Sequence, residues 1–128
     1  MSIENFRQFK HELRTPINHI TGYSELLGEL AEEGGDREIV DLARSIHSDG
    51  HTLAAIIEKH LMSRSEIEPD LLETLIFDVR PTVSSLMARL PRELDNRYSD
   101  YADDIRKIRN AAQRLDVTIT EEVENRKI

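Results

Sequence analysis

The sequence has 128 residues, a formal charge of −8 at neutral pH, five glycines, four prolines and no cysteine. This length suits one domain with one modest core. The absence of cysteine excludes a disulfide scaffold, a thiolate zinc site and a cysteine nucleophile. The negative charge argues against general nucleic-acid binding, because phosphate contacts require clustered Lys and Arg. No apolar run approaches the ~20 residues of a membrane span and no signal peptide opens the chain, so we expect a cytoplasmic protein without membrane contact.

The first predicted helix covers residues 3 to 32 and has one apolar face. Apolar or small side chains recur every three or four residues, which indicates burial along one stripe, and this stripe consists of Leu13, Ile17, Ile20, Ser24 and Leu27. Because each helical residue turns by about 100°, His11 lies roughly 160° from the centre of the stripe and is expected in solvent. Asn18 and Gly22 share this outer face, and Thr15 follows one turn after His11.

Three further helices follow the same pattern. Gly34 to Asp36 ends the first helix, and Asp36 is the expected N-cap of a second helix over residues 37 to 64. Residues 70 to 90 and 98 to 125 predict the third and fourth helices, again with apolar side chains at heptad spacing. Sustained spacing of this kind favours antiparallel packing at a shallow angle. The sequence therefore predicts an all-α fold, an antiparallel four-helix bundle built from two helical hairpins.

The second hairpin resembles a degenerate copy of the first. After a shift of 66 positions, Arg14 aligns with Arg80 and His11 aligns with Phe77. The same shift pairs the apolar positions of the two helices, namely Leu13 with Val79, Ile17 with Val83 and Ile20 with Leu86. Any two heptad hairpins can be aligned by sliding, so chance similarity remains the alternative to a true duplication.

The duplication hypothesis gives a division of the chain. Residues 1–68 form the hairpin that carries the histidine, and residues 69–128 form a pseudo-repeat hairpin that lacks it. Together the two hairpins make one bundle domain. Phe77, at the position that aligns with His11, is expected to point away from the core. It either packs on a neighbouring loop or belongs to a docking surface.

The surroundings of His11 suggest chemistry at the imidazole. At neutral pH an exposed imidazole often has a free ring nitrogen that can attack phosphorus. Glu12 could accept a hydrogen bond from the other ring N–H and hold the reactive tautomer. Pro16 removes one helical hydrogen bond, and a local bend beside the histidine is expected. For a single histidine, solvation on a charged helix is the ordinary explanation.

The six residues His11-Glu12-Leu13-Arg14-Thr15-Pro16 resemble the H-box of sensor histidine kinases, which lies in their dimerisation and histidine-phosphotransfer domain. The likeness continues over residues 20–27 and 46–53 and ends at residue 68, so it covers about the first half of the chain. By this resemblance His11 is the phospho-acceptor and Glu12 its acid/base partner. Thr15 is then the residue that positions water for dephosphorylation of a partner, and the partner is expected to dock on Arg14, Asn18 and Gly22.

The resemblance implies a module of two-component signalling. His11 is expected to exchange a phosphoryl group with an aspartate of a response-regulator receiver domain. This chain is expected to bind no cofactor, since the Mg²⁺ of the reaction belongs to the receiver. Nothing after Ile67 resembles the asparagine and glycine boxes of a kinase ATP-binding domain, and no P-loop is present. The chain alone is therefore not expected to phosphorylate itself from ATP.

Two alternatives stay open at this point. The bundle is a non-catalytic dimerisation or signal-relay module, or it is the phospho-acceptor fragment of a full histidine kinase whose ATP-binding domain lies outside this chain. Members of the resembled family usually build the bundle from two chains. Here one chain can supply both hairpins, so a single-chain pseudo-dimer is favoured and a homodimer is possible.

Three other histidines invite separate explanations. His47 and His51 are four residues apart, a spacing that can share a metal on one helix face, but the glutamate of a zinc-protease motif is absent. We expect surface histidines there and no metal site. His60 lies in a core row near a helix end, and we expect it to form a hydrogen bond with a neighbour.

Overall fold

A computed structural model describes residues 3–61 and 69–126 of the chain. This part forms four helices and no strand: α1 (Ile3–Gly34), α2 (Arg37–Leu61), α3 (Pro69–Arg89) and α4 (Ala102–Arg126). Each helix packs against the next one along the chain, and α4 closes the bundle against α1. The pairs α1/α3 and α2/α4 therefore lie on the diagonals. The prediction of an all-α, antiparallel four-helix bundle is confirmed.

The core is formed by the apolar faces that the heptad spacing predicts. The predicted stripe of α1 is buried along its whole length, from Leu13 to Leu27. The other helices contribute comparable rows, and the largest fully buried side chains include Ile46, Leu53, Leu72, Leu86 and Ile105. Ser24 is buried within the stripe, and its hydroxyl donates a hydrogen bond to the carbonyl of Thr21 at 2.9 Å. This small polar side chain is thus accommodated in the core without an unpaired group.

The turn between α1 and α2 is short and fully hydrogen-bonded. Gly35 has a φ of +69°, a left-handed conformation that glycine adopts without strain. The amides of Gly35 and Asp36 donate to the carbonyls of Glu32 and Ala31, which is the Schellman arrangement of a helix end. The Asp36 carboxylate then accepts the Ile39 amide at 3.2 Å, so its predicted role as N-cap of α2 is confirmed.

Tyr101 fastens this turn to the start of α4. Its side chain is buried and bonds to the Asp36 side chain, close to Gly34. Burial, followed by the nearby carboxylates of Asp36 and Asp100, raises the pKa of the Tyr101 hydroxyl. The phenol therefore stays uncharged at neutral pH and remains a hydrogen-bond donor.

Two predicted helix limits need comment. The fourth helix starts at Ala102 and not at Tyr98. Tyr98 and Tyr101 occupy turns instead, because their amides bond to carbonyls three residues earlier, those of Asp95 and Tyr98. The second helix was predicted to reach residue 64, and its last three residues lie outside the described ranges. None of the helices in those ranges is long and apolar enough to cross a membrane.

Gly50 sets how closely α2 approaches α1. A Cβ atom at this position would lie 2.5 Å from Thr21 Cγ2, closer than two carbon atoms can approach. We expect Gly50→Ala to lower the free energy of unfolding by about 1–3 kcal/mol through overpacking. Gly22→Ala is the matched control, since a Cβ there meets nothing within 4 Å, and it should stabilise the helix by roughly 0.5–1 kcal/mol. Urea unfolding followed by circular dichroism measures both, and equal effects would contradict this account.

Candidate functional site

The residues predicted from the H-box lie on one outer face of α1. His11, Arg14, Asn18 and Gly22 are exposed, and Thr15 is half-buried beside them. Their spacing of three and four residues brings them onto one strip of the helix, opposite the buried stripe. We call this strip the acceptor face. This face is accessible to a partner. At Gly22, a Cβ atom would meet no other atom within 4 Å.

The imidazole of His11 is not held by the rest of the bundle. Within the described residues, neither a hydrogen bond nor an ion pair involves its ring. The Glu12 carboxylate instead accepts a hydrogen bond from the Gln8 side-chain amide at 3.2 Å. In this arrangement the hydrogen bond considered between His11 and Glu12 is not formed. The ring is free to meet a docked reactant.

Gln8 is a site residue that the sequence analysis missed. It lies one turn before Glu12, at the i, i+4 spacing at which side chains on a helix surface meet. Its amide occupies one carboxylate oxygen of Glu12 and leaves the other available. The i, i+4 spacing of these two polar residues could have predicted the contact from the sequence.

Pro16 lies inside α1, and the residue before it bonds to the backbone one turn earlier. α1 continues through Pro16, which has no N–H for the carbonyl of Glu12. One residue earlier, the Thr15 hydroxyl donates to the carbonyl of His11 at 3.0 Å. The Thr15 oxygen keeps its acceptor lone pairs, so it can still bind a water molecule at the acceptor face.

Two cationic side chains lie close to His11 in the sequence. The Lys10 ammonium sits 4.6 Å from the centre of the Phe6 ring, a cation–π contact that positions it at the start of α1. Lys10 precedes His11 in the chain, and Arg14 is exposed one turn later. Arg14 therefore places a positive charge on the acceptor face in a chain whose formal charge is −8.

The counterpart of the acceptor face on α3 differs in its chemistry. Phe77, at the position that aligns with His11, points away from the core as predicted and is 79% exposed. Arg80 aligns with Arg14 and contacts α4 through Asp116 at 3.5 Å and Thr120 at 3.4 Å. α3 contains no histidine, whereas α1 presents the exposed imidazole of His11.

His60 forms the hydrogen bond predicted for it, and its partner is informative. Its Nε2 atom lies 2.6 Å from the Oδ2 atom of Asp78, which joins α2 to α3. Asp78 is the residue that aligns with Glu12 under the shift of 66 positions. In the second hairpin this carboxylate is thus bound between two helices, whereas in the first it is bound only by its own helix.

His47 and His51 each contact a neighbouring side chain. His47 Nε2 lies 2.9 Å from the Glu25 carboxylate, and the two imidazole rings meet edge to face at 4.5 Å between centroids. No group of three or more candidate metal ligands occurs in the described parts of the chain. His47 serves as a cross-link between α1 and α2.

The chain can now be compared with known proteins. The profile of the His Kinase A (phospho-acceptor) domain matches residues 4–68, which contain both helices of the first hairpin and the acceptor face. The chain belongs to this family. The match assigns the protein to the phospho-acceptor domains of two-component signalling, as the H-box resemblance implied.

Two of the similar curated proteins are named as histidine kinases. The chain is 35% identical to the sensor histidine kinase AruS of Pseudomonas aeruginosa over 88 residues, which covers 67% of this chain and 8% of that protein. It is 35% identical to the histidine protein kinase DivJ of Caulobacter vibrioides over 86 residues, covering 66% of this chain and 14% of that protein. The non-motile and phage-resistance protein of the same organism is 38% identical over 66 residues, or 51% of this chain and 8% of that protein.

These shares define the extent of the similarity. The phospho-acceptor domain described here spans less than one sixth of each of these relatives, so it corresponds to one part of a much longer protein in each case. No solved structure matches the chain significantly.

The His60–Asp78 contact predicts a measurable contribution to stability. Asp78→Ala should lower the free energy of unfolding by about 1–2 kcal/mol, because the half-buried imidazole loses its partner. Glu32→Ala is the matched control. Its ion pair with Arg44 has both side chains more than 60% exposed and should change stability by less than ~0.5 kcal/mol. Thermal or urea unfolding measures the stability of both variants. Equal losses would show that the His60–Asp78 contact contributes no more than an exposed ion pair.

Proposed function

We propose that this domain is a phosphotransfer module in which His11 exchanges a phosphoryl group with an aspartate of a response-regulator receiver domain. The observation that carries the proposal is the free imidazole of His11 on the outer face of α1, inside a six-residue H-box of a chain that belongs to the phospho-acceptor family. The exposed face leaves room for the close approach that in-line transfer requires.

The chemical step needs little from the bundle beyond positioning. An unprotonated ring nitrogen of His11 attacks the phosphorus of the aspartyl phosphate. An N–P bond forms while the P–O bond to the aspartate breaks, and the aspartate carboxylate leaves with the electron pair. The reverse step returns the phosphoryl group to the aspartate. The receiver supplies the Mg²⁺ and most of the charge stabilisation of the transferring group.

Glu12 is proposed to orient the imidazole during this step. Its carboxylate accepts a hydrogen bond from the second ring N–H, which keeps the attacking nitrogen unprotonated. In the free domain Gln8 binds that carboxylate, so a rotation of the Glu12 side chain must accompany docking. Before docking, the hydrogen bond from Gln8 keeps the Glu12 side chain close to the acceptor face.

Thr15 is proposed to act when the domain removes a phosphoryl group from its partner. A water molecule bound to the Thr15 oxygen lies one helical turn from His11, on the same face. Arg14, Asn18 and Gly22 extend this face along α1 and are proposed to contact the receiver. A glycine at the far end of the strip lets the partner backbone come close.

The second hairpin is proposed to replace the second chain of a dimeric bundle. α3 and α4 cover the apolar faces of α1 and α2 within one chain, and their short tether gives a high effective concentration for this pairing. The domain would then carry a single acceptor histidine. Internal duplication explains the alignment of Arg14 with Arg80, and it remains an interpretation.

A role as one part of a full histidine kinase is the second candidate. The small share of each relative that this chain spans favours it. In that case an ATP-binding domain elsewhere phosphorylates His11, and the acceptor face serves both that domain and the receiver.

The first test concerns the acceptor. Incubation with a phosphorylated receiver should give an acid-labile, base-stable adduct on the domain, and His11→Gln should give none. His19→Gln, an exposed histidine on the same helix, should keep the adduct and serves as the matched control. Phosphate found on His47, His51 or His60 in mapped peptides would rule out the assignment of His11. A folded domain that never accepts phosphate would favour a signal-relay module.

The second test concerns Glu12. Glu12→Gln should slow phosphotransfer by about 10²-fold or more, the usual size of a general-base contribution, with an unchanged helical circular dichroism spectrum. Glu33→Gln changes an exposed carboxylate at the other end of α1 and should leave the rate unaltered. Single-turnover transfer from the labelled receiver measures the rates. Equal rates for both variants would mean that Glu12 is only a solvated surface residue.

A further inference from the structure

The most exposed large apolar side chain in the described residues lies on α3. Phe77 is 79% exposed, compared with 51% for Leu26 and 50% for Val117. It lies at the centre of a surface that we call the α3 patch, a groove of about 600 Å³ lined by Glu73, Ile76, Phe77, Arg80, Pro81 and Ser84. A cluster of apolar side chains around an exposed aromatic ring, with a polar rim, is typical of an interaction surface.

The α3 patch has a symmetric order of charges along the helix. Glu73 and Arg80 are seven residues apart, roughly 10 Å along the helix axis. Their midpoint falls between Ile76 and Phe77, the apolar centre of the patch. If two antiparallel α3 helices pack about a two-fold axis through this midpoint, Glu73 of each copy meets Arg80 of the other. Phe77 then covers Ile76 of the opposite copy, so the surface is complementary to itself.

Both charged groups are available for such a contact. Glu73 is exposed, and no described residue forms an ion pair with it. The Arg80 side chain is 55% exposed, and its contacts with Asp116 and Thr120 are long, at 3.5 Å and 3.4 Å. A guanidinium group has five N–H donors, so Arg80 can bind a second carboxylate without losing the first.

We propose that the α3 patch binds a second copy of this chain, with α3 packed antiparallel to α3 about a two-fold axis. Phe77 is the central apolar contact, and two Glu73–Arg80 ion pairs flank it. The placement of acid and base at equal distances from the midpoint between Ile76 and Phe77 favours a second copy over an unrelated helix, which requires no such symmetry. About three helical turns are covered, less than the ~800 Å² per partner of a standard interface, so the association is reversible and concentration-dependent.

This dimer leaves phosphotransfer unobstructed. α1 lies diagonally across the bundle from α3, and the acceptor face is on the outer side of α1. Each copy therefore keeps His11 exposed on the side remote from the interface. The pair presents two acceptor faces to receivers, although each bundle has only one acceptor histidine.

Sedimentation equilibrium of the intact chain over a wide range of concentrations tests the proposal. The mass should rise from near 14.8 kDa at low concentration toward twice that value. Phe77→Ser should abolish the rise, and a matched circular dichroism melt should show that the bundle stays folded. Val117→Ser removes an exposed apolar side chain on α4, outside the α3 patch, and should leave the rise unchanged.

Charge reversal tests the two-fold geometry. Glu73→Arg alone and Arg80→Glu alone each place like charges opposite one another and should abolish the association. The double variant, Glu73→Arg with Arg80→Glu, restores opposite charges in a symmetric dimer and should restore it.

Three results would overturn the proposal. The first is a mass of 14.8 kDa at every concentration. The second is equal association of the Phe77→Ser variant, as exchange of hairpins between chains predicts. The third result is that the double variant stays folded but does not associate. If Phe77 binds an unrelated helix while the chain stays monomeric, the proposal is overturned in the same way as by the first result.

Discussion

Burial of the apolar stripe of α1 is the constraint on which the candidate site depends. The rotation of this helix about its axis is fixed because Leu13, Ile20 and Leu27 are fully buried. Each such side chain contributes roughly 1.5–3 kcal/mol by leaving water, so turning the helix by even one residue position is costly. His11 points outward as a consequence of these contacts on the opposite face. Its exposure requires no interaction of the imidazole itself.

The two hairpins share one core, but aligned carboxylates on their surfaces form different contacts. In the first hairpin the carboxylate beside the acceptor is bound by Gln8 on its own helix, where a side-chain rotation can release it. In the second hairpin the aligned carboxylate of Asp78 is bound to His60 across two helices. The first arrangement leaves groups free to react, and the second increases the cohesion of the bundle. The carboxylate that aligns with Glu12 thus takes part in a contact between the two hairpins.

Much of this organisation could be predicted from residue spacing. The heptad rows gave four helices and the core, and residue type alone identified Asp36 as a helix cap. The start of α4 was placed too early, since Tyr98 and Tyr101 continue the apolar spacing while their backbones form turns. Spacing reports which side chains face the core and not whether the backbone is helical. The partner of His60 could not be predicted, because it depends on how far α3 is displaced along α2.

The topology of the bundle makes its two ends unlike. An even number of antiparallel helices brings the start of α1 and the end of α4 to the same end, close to His11. The opposite end carries the compact turn at Gly35 and the connection between α3 and α4, which Tyr101 ties together. Any protein domain joined to either terminus therefore lies near His11. The covalent link gives that domain a high local concentration there. A fluorescent reporter inserted between residues 92 and 97 would instead lie about 30 Å or more from the reaction, given the 1.5 Å rise per helical residue.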